Sequence, residues 1–224
     1  MDAKDLKEGI HEIEEDVEES IKKRNPIWYV IAVFLVLIII VMIIPLSGIN
    51  RDFWPQYYPE IAEVVPEGFV LVNNTVGSSR GDYNSLVRPA EVKIVADKIA
   101  SLSCKEYSRV CYAKAMYFFV RDKFSYVNDP LAFEYVKSAP ESLVSLGGDC
   151  DDASVLLVNL FEAVGIKTRF VFVPGHVFVQ ANLPEAIEKY KVDGDWVNLD
   201  ATCTNCEFGD IPIVNMGKEK TFLG

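Results

Sequence analysis

The alternation of apolar and polar residues divides the chain into an uncharged apolar run, a polar stretch and a region of regular periodicity. The run between Arg24 and Arg51 contains no charged residue, and within it residues 27–46 read IWYVIAVFLVLIIIVMIIPL. As an α-helix this segment would extend about 30 Å, the thickness of the hydrocarbon core of a bilayer. A cleaved signal peptide would have a shorter apolar stretch and an A-x-A-like cleavage site. The pattern therefore predicts one transmembrane helix over residues 27–46.

The charges that flank this helix indicate its orientation. Lys22, Lys23 and Arg24 precede it, whereas Arg51 is the only basic residue close to its other end. Basic residues favour the cytoplasmic side of a membrane. We therefore expect a single-pass protein of the cell membrane, with residues 1–26 in the cytoplasm and the rest of the chain outside.

The cytoplasmic tail, residues 1–26, has apolar residues at spacings of three and four among nine acidic ones: Leu6, Ile10, Ile13, Val17 and Ile21. This pattern predicts an acidic amphipathic helix. A solvated helix is favoured over weak self-association as a coiled coil, because about three heptads are barely enough to form one. Beyond the membrane helix, residues 47–88 are rich in Pro, Gly, Asn and Ser, which predicts a linker with extended pieces.

Residues 89–224 have the periodicity of a folded domain. Two stretches place apolar residues at helical spacing: Val92, Val95, Ala96, Ile99 and Leu102 in the first, and Val110, Ala113, Tyr117, Val120 and Phe124 in the second. Residues 151–164 are apolar nearly all round, which predicts a central, buried helix. Strand-like runs follow at 168–173, 176–181 and 196–202. Helices first and antiparallel strands second predict an α+β fold, in which one buried helix packs on a small antiparallel sheet.

The charge of the chain excludes one class of partner. Its 33 acidic and 22 basic residues give a formal net charge of -11, which opposes the phosphate backbone of nucleic acids. The acidic residues also form no oxygen-ligand loop of the D-x-D-x-D-G kind. We therefore expect no nucleic acid, no metal and no cofactor.

The candidate chemistry begins at Cys150, in the segment GGDCDD, where a loop becomes the buried helix. The free N–H groups and the dipole of a first helical turn favour a thiolate, which is the form a nucleophile needs. His176 is the only histidine besides His11 of the tail, and Asp200 ends the next strand, from which a carboxylate can fix the imidazole tautomer. The order predicts a nucleophile, a base and an orienting carboxylate. The alternative makes Cys150 a small buried residue beside aspartates that cap the helix.

A known family has the same motifs in the same order. The segment GGDCDDASVLLVNLFEAVGIKTRFVFVPGHVFVQ, followed by WVNLDAT, resembles the transglutaminase-like superfamily, and GGDCDD in particular is similar to bacterial and archaeal transglutaminase-like cysteine peptidases. The resemblance implies a papain-like fold with Cys150 as nucleophile, His176 as general base and Asp200 as orienting residue. The backbone N–H of Cys150 would form the oxyanion hole with a second donor, for which Tyr126 is the candidate.

The expected activity is cysteine-dependent acyl transfer on amide bonds. Cys150 would attack the amide of a peptide or protein substrate and form a thioester, and hydrolysis of a peptide or isopeptide bond is favoured over crosslinking. The membrane-anchored chain would contact lipid through residues 27–46. Two alternatives remain open, namely a transglutaminase-like binding module without catalysis and a membrane-tethered scaffold that acts through its tail.

Four further cysteines lie outside the predicted triad: Cys104, Cys111, Cys203 and Cys206. In an oxidising exterior they could form two disulfides and leave Cys150 free, in a pairing that the sequence does not specify. A four-thiolate zinc site is the rival, but the seven-residue spacing of Cys104 and Cys111 is poor for zinc. We therefore expect disulfides.

Overall fold

The computed structural model describes residues 26–46, 52–69, 82–129 and 135–224. The chain divides into two units between Ile49 and Asn50. The predicted tail helix lies outside the described residues, as do positions 47–51 and 70–81 of the predicted linker.

The described part of the first unit is helix α1 (Ile27–Leu46), which covers the residues predicted to cross a membrane. Side chains of α1 are described only as far as Met42. Within the described residues, no helix meets the length and apolarity that a membrane crossing requires. The transmembrane helix therefore stays a prediction of the sequence.

The helices of the second unit mostly precede its sheet, as the periodicity predicts. They are α2 (Ile61–Val64), α3 (Lys93–Ser103), α4 (Arg109–Lys123), α5 (Ala139–Ser145), α6 (Cys150–Ala163) and the short α7 (Ile213–Met216). Short 3₁₀ turns form at Tyr83–Leu86, Pro89–Glu91 and Glu188–Tyr190. Both predicted amphipathic helices, α3 and α4, lie against α6.

The sheet is antiparallel and larger than the three predicted strands. Its strands are β3 (Thr168–Val173), β4 (His176–Asn182), β5 (Lys191–Asp193), β6 (Trp196–Leu199) and β7 (Thr221–Leu223), hydrogen-bonded in the order β5-β6-β4-β3-β7. A separate parallel pair joins β1 (Ser125–Tyr126) to β2 (Gly147–Gly148), immediately before α6. The additional strands β5 and β7 have three residues each, too short to produce an alternating pattern.

Helix α6 forms the centre of the core, as its apolar circumference predicts. Almost all of its residues are buried, and it packs on α3, α4 and α5 as well as on β3 and β4. A helix surrounded on every side by protein can have no polar face. The prediction of a mixed α and β domain, with a buried helix on an antiparallel sheet, is confirmed.

The folded unit begins earlier than the predicted boundary at residue 89. Val64, Tyr83 and Leu86 belong to its hydrophobic core, although the sequence places all three in the predicted linker. Asn159, in the middle of α6, donates to the carbonyl of Leu86 over 2.9 Å and accepts from the N–H of Arg88. These contacts attach the preceding segment to the central helix. The polar and turn-forming residues of that segment led to its prediction as a linker.

Candidate active site

Cys150 is the first residue of α6, and the helix start is closed by its neighbours. The carboxylate of Asp149 accepts from the N–H of Asp151 over 3.0 Å, and Asp152 accepts from the N–H of Asp149 over 3.4 Å. This reciprocal arrangement is a capping box. The capping role that the sequence suggested for these aspartates therefore coexists with a cysteine at the first helical position.

Asp152 is the buried anchor of this helix start. Its side chain accepts from the backbone N–H of Lys137 over 2.7 Å and from the Lys137 ammonium over 2.5 Å. A Cβ added at Gly148 would lie 2.0 Å from the Asp152 carboxylate. Position 148 thus requires glycine, because the carboxylate approaches it closely. Lys137 holds the Asp152 carboxylate, a role that no motif in the sequence indicates.

His176 and Asp200 meet through the strand register. Gln180 pairs with Asn198 across β4 and β6, and their side chains hydrogen-bond over 2.7 Å on one face of the sheet. Alternate residues share a face, so His176 and Asp200 extend the same row. The His176 Nε2 lies 2.7 Å from Asp200 Oδ2.

The Asp200 carboxylate is held in place by its own turn. It is 1% exposed, and its second oxygen accepts from the N–H and the hydroxyl of Thr202 over 3.1 and 2.7 Å. A buried carboxylate with fixed partners can hold an imidazole in one orientation. This is the geometry expected of an orienting residue.

Cys150 and His176 line the same open cavity of about 520 Å³. Tyr126, the candidate second oxyanion donor, also lines it and is half exposed. The pairing of Tyr126 with Gly148 in the β1–β2 pair brings it beside the start of α6. Three of the four predicted site residues therefore line the cavity, namely Cys150, His176 and Tyr126. The fourth, Asp200, bonds to His176.

The pKa of the Cys150 thiol is raised, whereas the helix start was expected to favour the thiolate. Burial, followed by the neighbouring carboxylates of Asp151 and Asp149, raises the pKa of the Cys150 thiol to about 12, although the N–H of Val177 opposes this shift. The thiol donates to Asp151 Oδ1 over 3.7 Å. Burial and the carboxylates of Asp151 and Asp152 also raise the pKa of Asp149 to about 6. Burial and the local negative charge therefore favour the protonated thiol over the thiolate that the helix start predicts.

The other four cysteines are joined in two local pairs. Cys104 is bonded to Cys111, and Cys203 to Cys206, while Cys150 is a free thiol. One group of metal-type ligands is present among the described residues, namely Asp149, Cys150 and Asp151, whose donor atoms lie within 4.8 Å of one another. These atoms already cap α6 and accept the thiol hydrogen, so we assign them no metal.

Fold and site together define the class of this domain: a cysteine at the start of a buried helix, packed on an antiparallel sheet that carries a histidine–aspartate pair. Residues 95–201 match the family model described as the transglutaminase-like superfamily. The match covers just under half of the chain and agrees with the resemblance that the motifs suggested, so residues 95–201 form a transglutaminase-like domain. Among curated proteins, no match is found.

Solved structures give weaker likenesses. A candidate cysteine protease from Cytophaga hutchinsonii is 19% identical at a TM-score of 0.39, over 58% of this chain and 46% of that one. A candidate protease from Parabacteroides distasonis is 17% identical at 0.41, over 54% and 25%. Calcium-bound Legionella pneumophila LapG is 19% identical at 0.41, over 63% and 80%. The alignments thus span less than half of the first two proteins, and we draw no functional inference from likeness at this level.

Proposed function

We propose that this chain is a membrane-anchored cysteine peptidase or amidase, which cleaves an amide bond of a peptide or protein through a thioester on Cys150. The observation that carries the proposal is the cavity that both Cys150 and His176 line, with Nε2 of His176 lying 2.7 Å from the buried Asp200. A nucleophile, a base and an orienting carboxylate are the parts that acyl transfer requires.

Because the pKa of the Cys150 thiol is raised, the thiol needs a general base, and His176 has this role. Since Nε2 of His176 faces Asp200, Nδ1 is the nitrogen that accepts the thiol proton as sulfur attacks the carbonyl carbon. General-base assistance of this kind accelerates reactions by about 10² to 10⁴. The Asp200 carboxylate stabilises the imidazolium that forms, which compensates for the low acidity of the thiol.

Attack by sulfur produces a tetrahedral intermediate, and the reaction then proceeds through formation and hydrolysis of a thioester. The backbone N–H of Cys150 and the hydroxyl of Tyr126 donate to the oxyanion of the intermediate. The imidazolium returns its proton to the departing amine, the C–N bond breaks and the thioester remains on Cys150. Water, deprotonated by His176, then attacks the thioester carbonyl. The C–S bond breaks, and the imidazolium returns its proton to the departing sulfur, which releases the acid and restores the thiol.

Membrane anchoring by residues 27–46 and an extracytoplasmic domain belong to this proposal. Their support is the uncharged apolar run and the basic residues Lys22, Lys23 and Arg24 that precede it. Protease added to intact cells should remove the domain and leave residues 1–26 protected. The reverse protection pattern would contradict this orientation.

One observation favours the alternative of a binding module without catalysis. A thiol whose pKa is raised to about 12 is a poor nucleophile unless a base assists it. The two functions differ in whether substrate ever becomes bonded to Cys150.

The proposal is tested with the full chain in detergent and a peptide library made by digesting a whole proteome. We expect new peptide termini and an acyl group on Cys150, both detected by mass spectrometry, and neither in Cys150→Ser. Peptides that bind equally to both forms and are never cleaved would overturn the proposal in favour of the binding module.

A further inference from the structure

The cavity beside Cys150 has two chemically different sides. Its polar side consists of Asp149, Cys150, Asp151, Tyr126 and His176. Another part of the lining is apolar and contains Tyr83, Phe172 and Leu223, with Thr221 beside them. Val173, Gly175, Val177 and Phe222 complete the lining. A substrate whose amide is held at Cys150 must therefore place another of its groups against the apolar side.

Strand pairing places two side chains of β7 on the same face of the sheet as Phe172. Thr221 pairs with Phe172, and Leu223 pairs with Phe170, in the antiparallel register of β3 and β7. Directly paired residues share a face of a sheet. Thr221 and Leu223 therefore lie on the face of β3 that carries Phe170 and Phe172, and Thr221 is exposed.

The remaining wall comes from a segment far away in sequence. Tyr83 is 1% exposed, and its ring centroid lies 5.2 Å from that of Phe170 and 5.0 Å from that of Phe172. The contacts of Asn159 with Leu86 and Arg88 fix this segment on α6. Hydrogen bonds to α6 thus hold the segment that carries Tyr83, whereas Thr221 of β7 is exposed.

We infer that the pocket formed by Tyr83, Phe172, Thr221 and Leu223 is a subsite for an apolar side chain of the substrate. The inference rests on the proposed function, since it concerns the peptide whose amide reaches Cys150. Burial of an aliphatic or aromatic side chain against these rings is favourable because it removes apolar area from water. A charged side chain would lose hydration against the apolar rings.

The test measures how fast dipeptidyl vinyl sulfones form an adduct on Cys150 of the full chain, followed by intact mass. Each of the two residues is varied among Leu, Phe, Gly, Lys and Asp. At one of the two positions, Leu and Phe should react about tenfold faster than Gly, Lys and Asp. Equal rates for all five at both positions would overturn the inference.

Two variants locate the preference in β7. Thr221→Trp should fill the pocket and bring the rates of the Leu and Phe probes down to that of the Gly probe. Leu223→Ala should enlarge the pocket and shift the preference from Leu towards Phe. Val214→Trp is the control, because Val214 is 75% exposed and is not part of the cavity lining. Slowing of every probe to the same extent by Thr221→Trp would contradict a subsite.

The outcome also separates this inference from the proposed function. If Cys150 reacts with the probes but without regard to their side chains, only the subsite is wrong. If the Gly-Gly probe and all others fail to modify Cys150, the proposed function is wrong, and the subsite with it.

Discussion

The acidity of the Cys150 thiol is lowered first by burial and then by the carboxylates on either side of it. Asp151 accepts the thiol hydrogen, and both flanking carboxylates oppose formation of a thiolate beside them. The helix start therefore performs two tasks with one set of residues. It caps α6 through Asp149 and Asp152, and the carboxylates of Asp149 and Asp151 disfavour the thiolate form of Cys150.

Asp151→Asn should make Cys150 more acidic. The pKa of the thiol is raised first by burial and then by the carboxylates of Asp151 and Asp149, so removal of one negative charge lowers it. A fall of one unit gives about tenfold more thiolate at any pH well below the pKa. The rate of iodoacetamide labelling, measured from pH 6 to 10, should shift to lower pH by that amount.

Asp195→Asn removes an equal charge at a partly exposed position that pairs with Lys191. It should leave the labelling profile of Cys150 unchanged. A profile that moves equally in both variants would show that only the net charge matters, and an unchanged profile in Asp151→Asn would contradict the local account.

Gly148→Ala should destabilise the domain. The added Cβ would collide with the Asp152 carboxylate, which cannot move easily because Lys137 holds it from two directions. Overpacking of this kind costs about 1 to 3 kcal/mol. Gly217→Ala is the matched control, since its Cβ would meet nothing within 4 Å and its φ of -93° suits any residue. Urea unfolding should separate the two variants, and equal stabilities would contradict the close approach.

At the scale of the elements, the regular helices and paired strands were predictable and the short pieces were not. Helix α6 has an unmistakable pattern because every side of it meets protein. The alternation in β4 and β6 was enough to predict that His176 and Asp200 share a face. Strand β7 and the 3₁₀ turn Tyr83–Leu86 have no recognisable apolar periodicity, because each has only three or four residues. Both are stabilised by partners distant in sequence.

The acidity of Cys150 shows a different limit of sequence reasoning. Helix position favours a thiolate, whereas burial and two carboxylates oppose it, and their balance depends on distances that sequence spacing does not supply. The sequence thus predicts which residues meet, and the structure determines the protonation state.

The turn that follows β6 connects a disulfide to the orienting carboxylate. Cys203 donates its N–H to the carbonyl of Asp200 over 3.2 Å and is bonded to Cys206. The Tyr117 hydroxyl and Arg121 also bond to the Cys206 carbonyl, over 3.1 and 2.9 Å. The disulfide therefore closes the loop that positions Asp200.

Replacement of both Cys203 and Cys206 by Ser should slow adduct formation on Cys150 by about tenfold, because Asp200 loses its fixed position. Replacement of both Cys104 and Cys111 by Ser is the matched control, as that pair links α3 to α4. It should lower the melting temperature with little effect on the adduct rate per folded molecule. Equal rate losses in the two double variants would contradict a role specific to the Asp200 turn.

At the scale of the whole molecule, a buried lysine attaches the start of the folded unit to its core. The Lys114 ammonium is fully buried, pairs with Asp52 and lies 3.9 Å from the centroid of the Trp54 ring. The Asp52 carboxylate also accepts from the Tyr190 hydroxyl over 2.9 Å. Residues well before the predicted domain boundary are therefore part of the fold.

Asp52→Asn should destabilise the folded unit by about 3 to 5 kcal/mol, because it leaves a buried ammonium without its counterion. Asp193→Asn is the control, since the Asp193 side chain is largely exposed in its ion pair with Arg169, and such a pair contributes at most about 1 kcal/mol. Urea unfolding measures both variants. A loss in Asp52→Asn no larger than in Asp193→Asn would contradict the role of this pair.

The same pair predicts a dependence of stability on pH. Burial alone would raise the pKa of Asp52, but hydrogen bonds from Lys114, Tyr190 and Trp54 lower it overall. A carboxyl with a depressed folded pKa contributes stability above its unfolded pKa, and this contribution is lost as pH falls through the folded value. The stability difference between the native chain and Asp52→Asn should therefore shrink below about pH 4.

The central claim is that His176, oriented by Asp200, draws the proton from Cys150. The most direct measurement is the rate at which a Gly-Gly vinyl sulfone modifies Cys150 at pH 7 in the native chain, His176→Ala and Asp200→Asn. The account predicts a loss of about 10² or more in His176→Ala and a smaller loss in Asp200→Asn, with both variants still folded. Equal rates in the native chain and His176→Ala would contradict it.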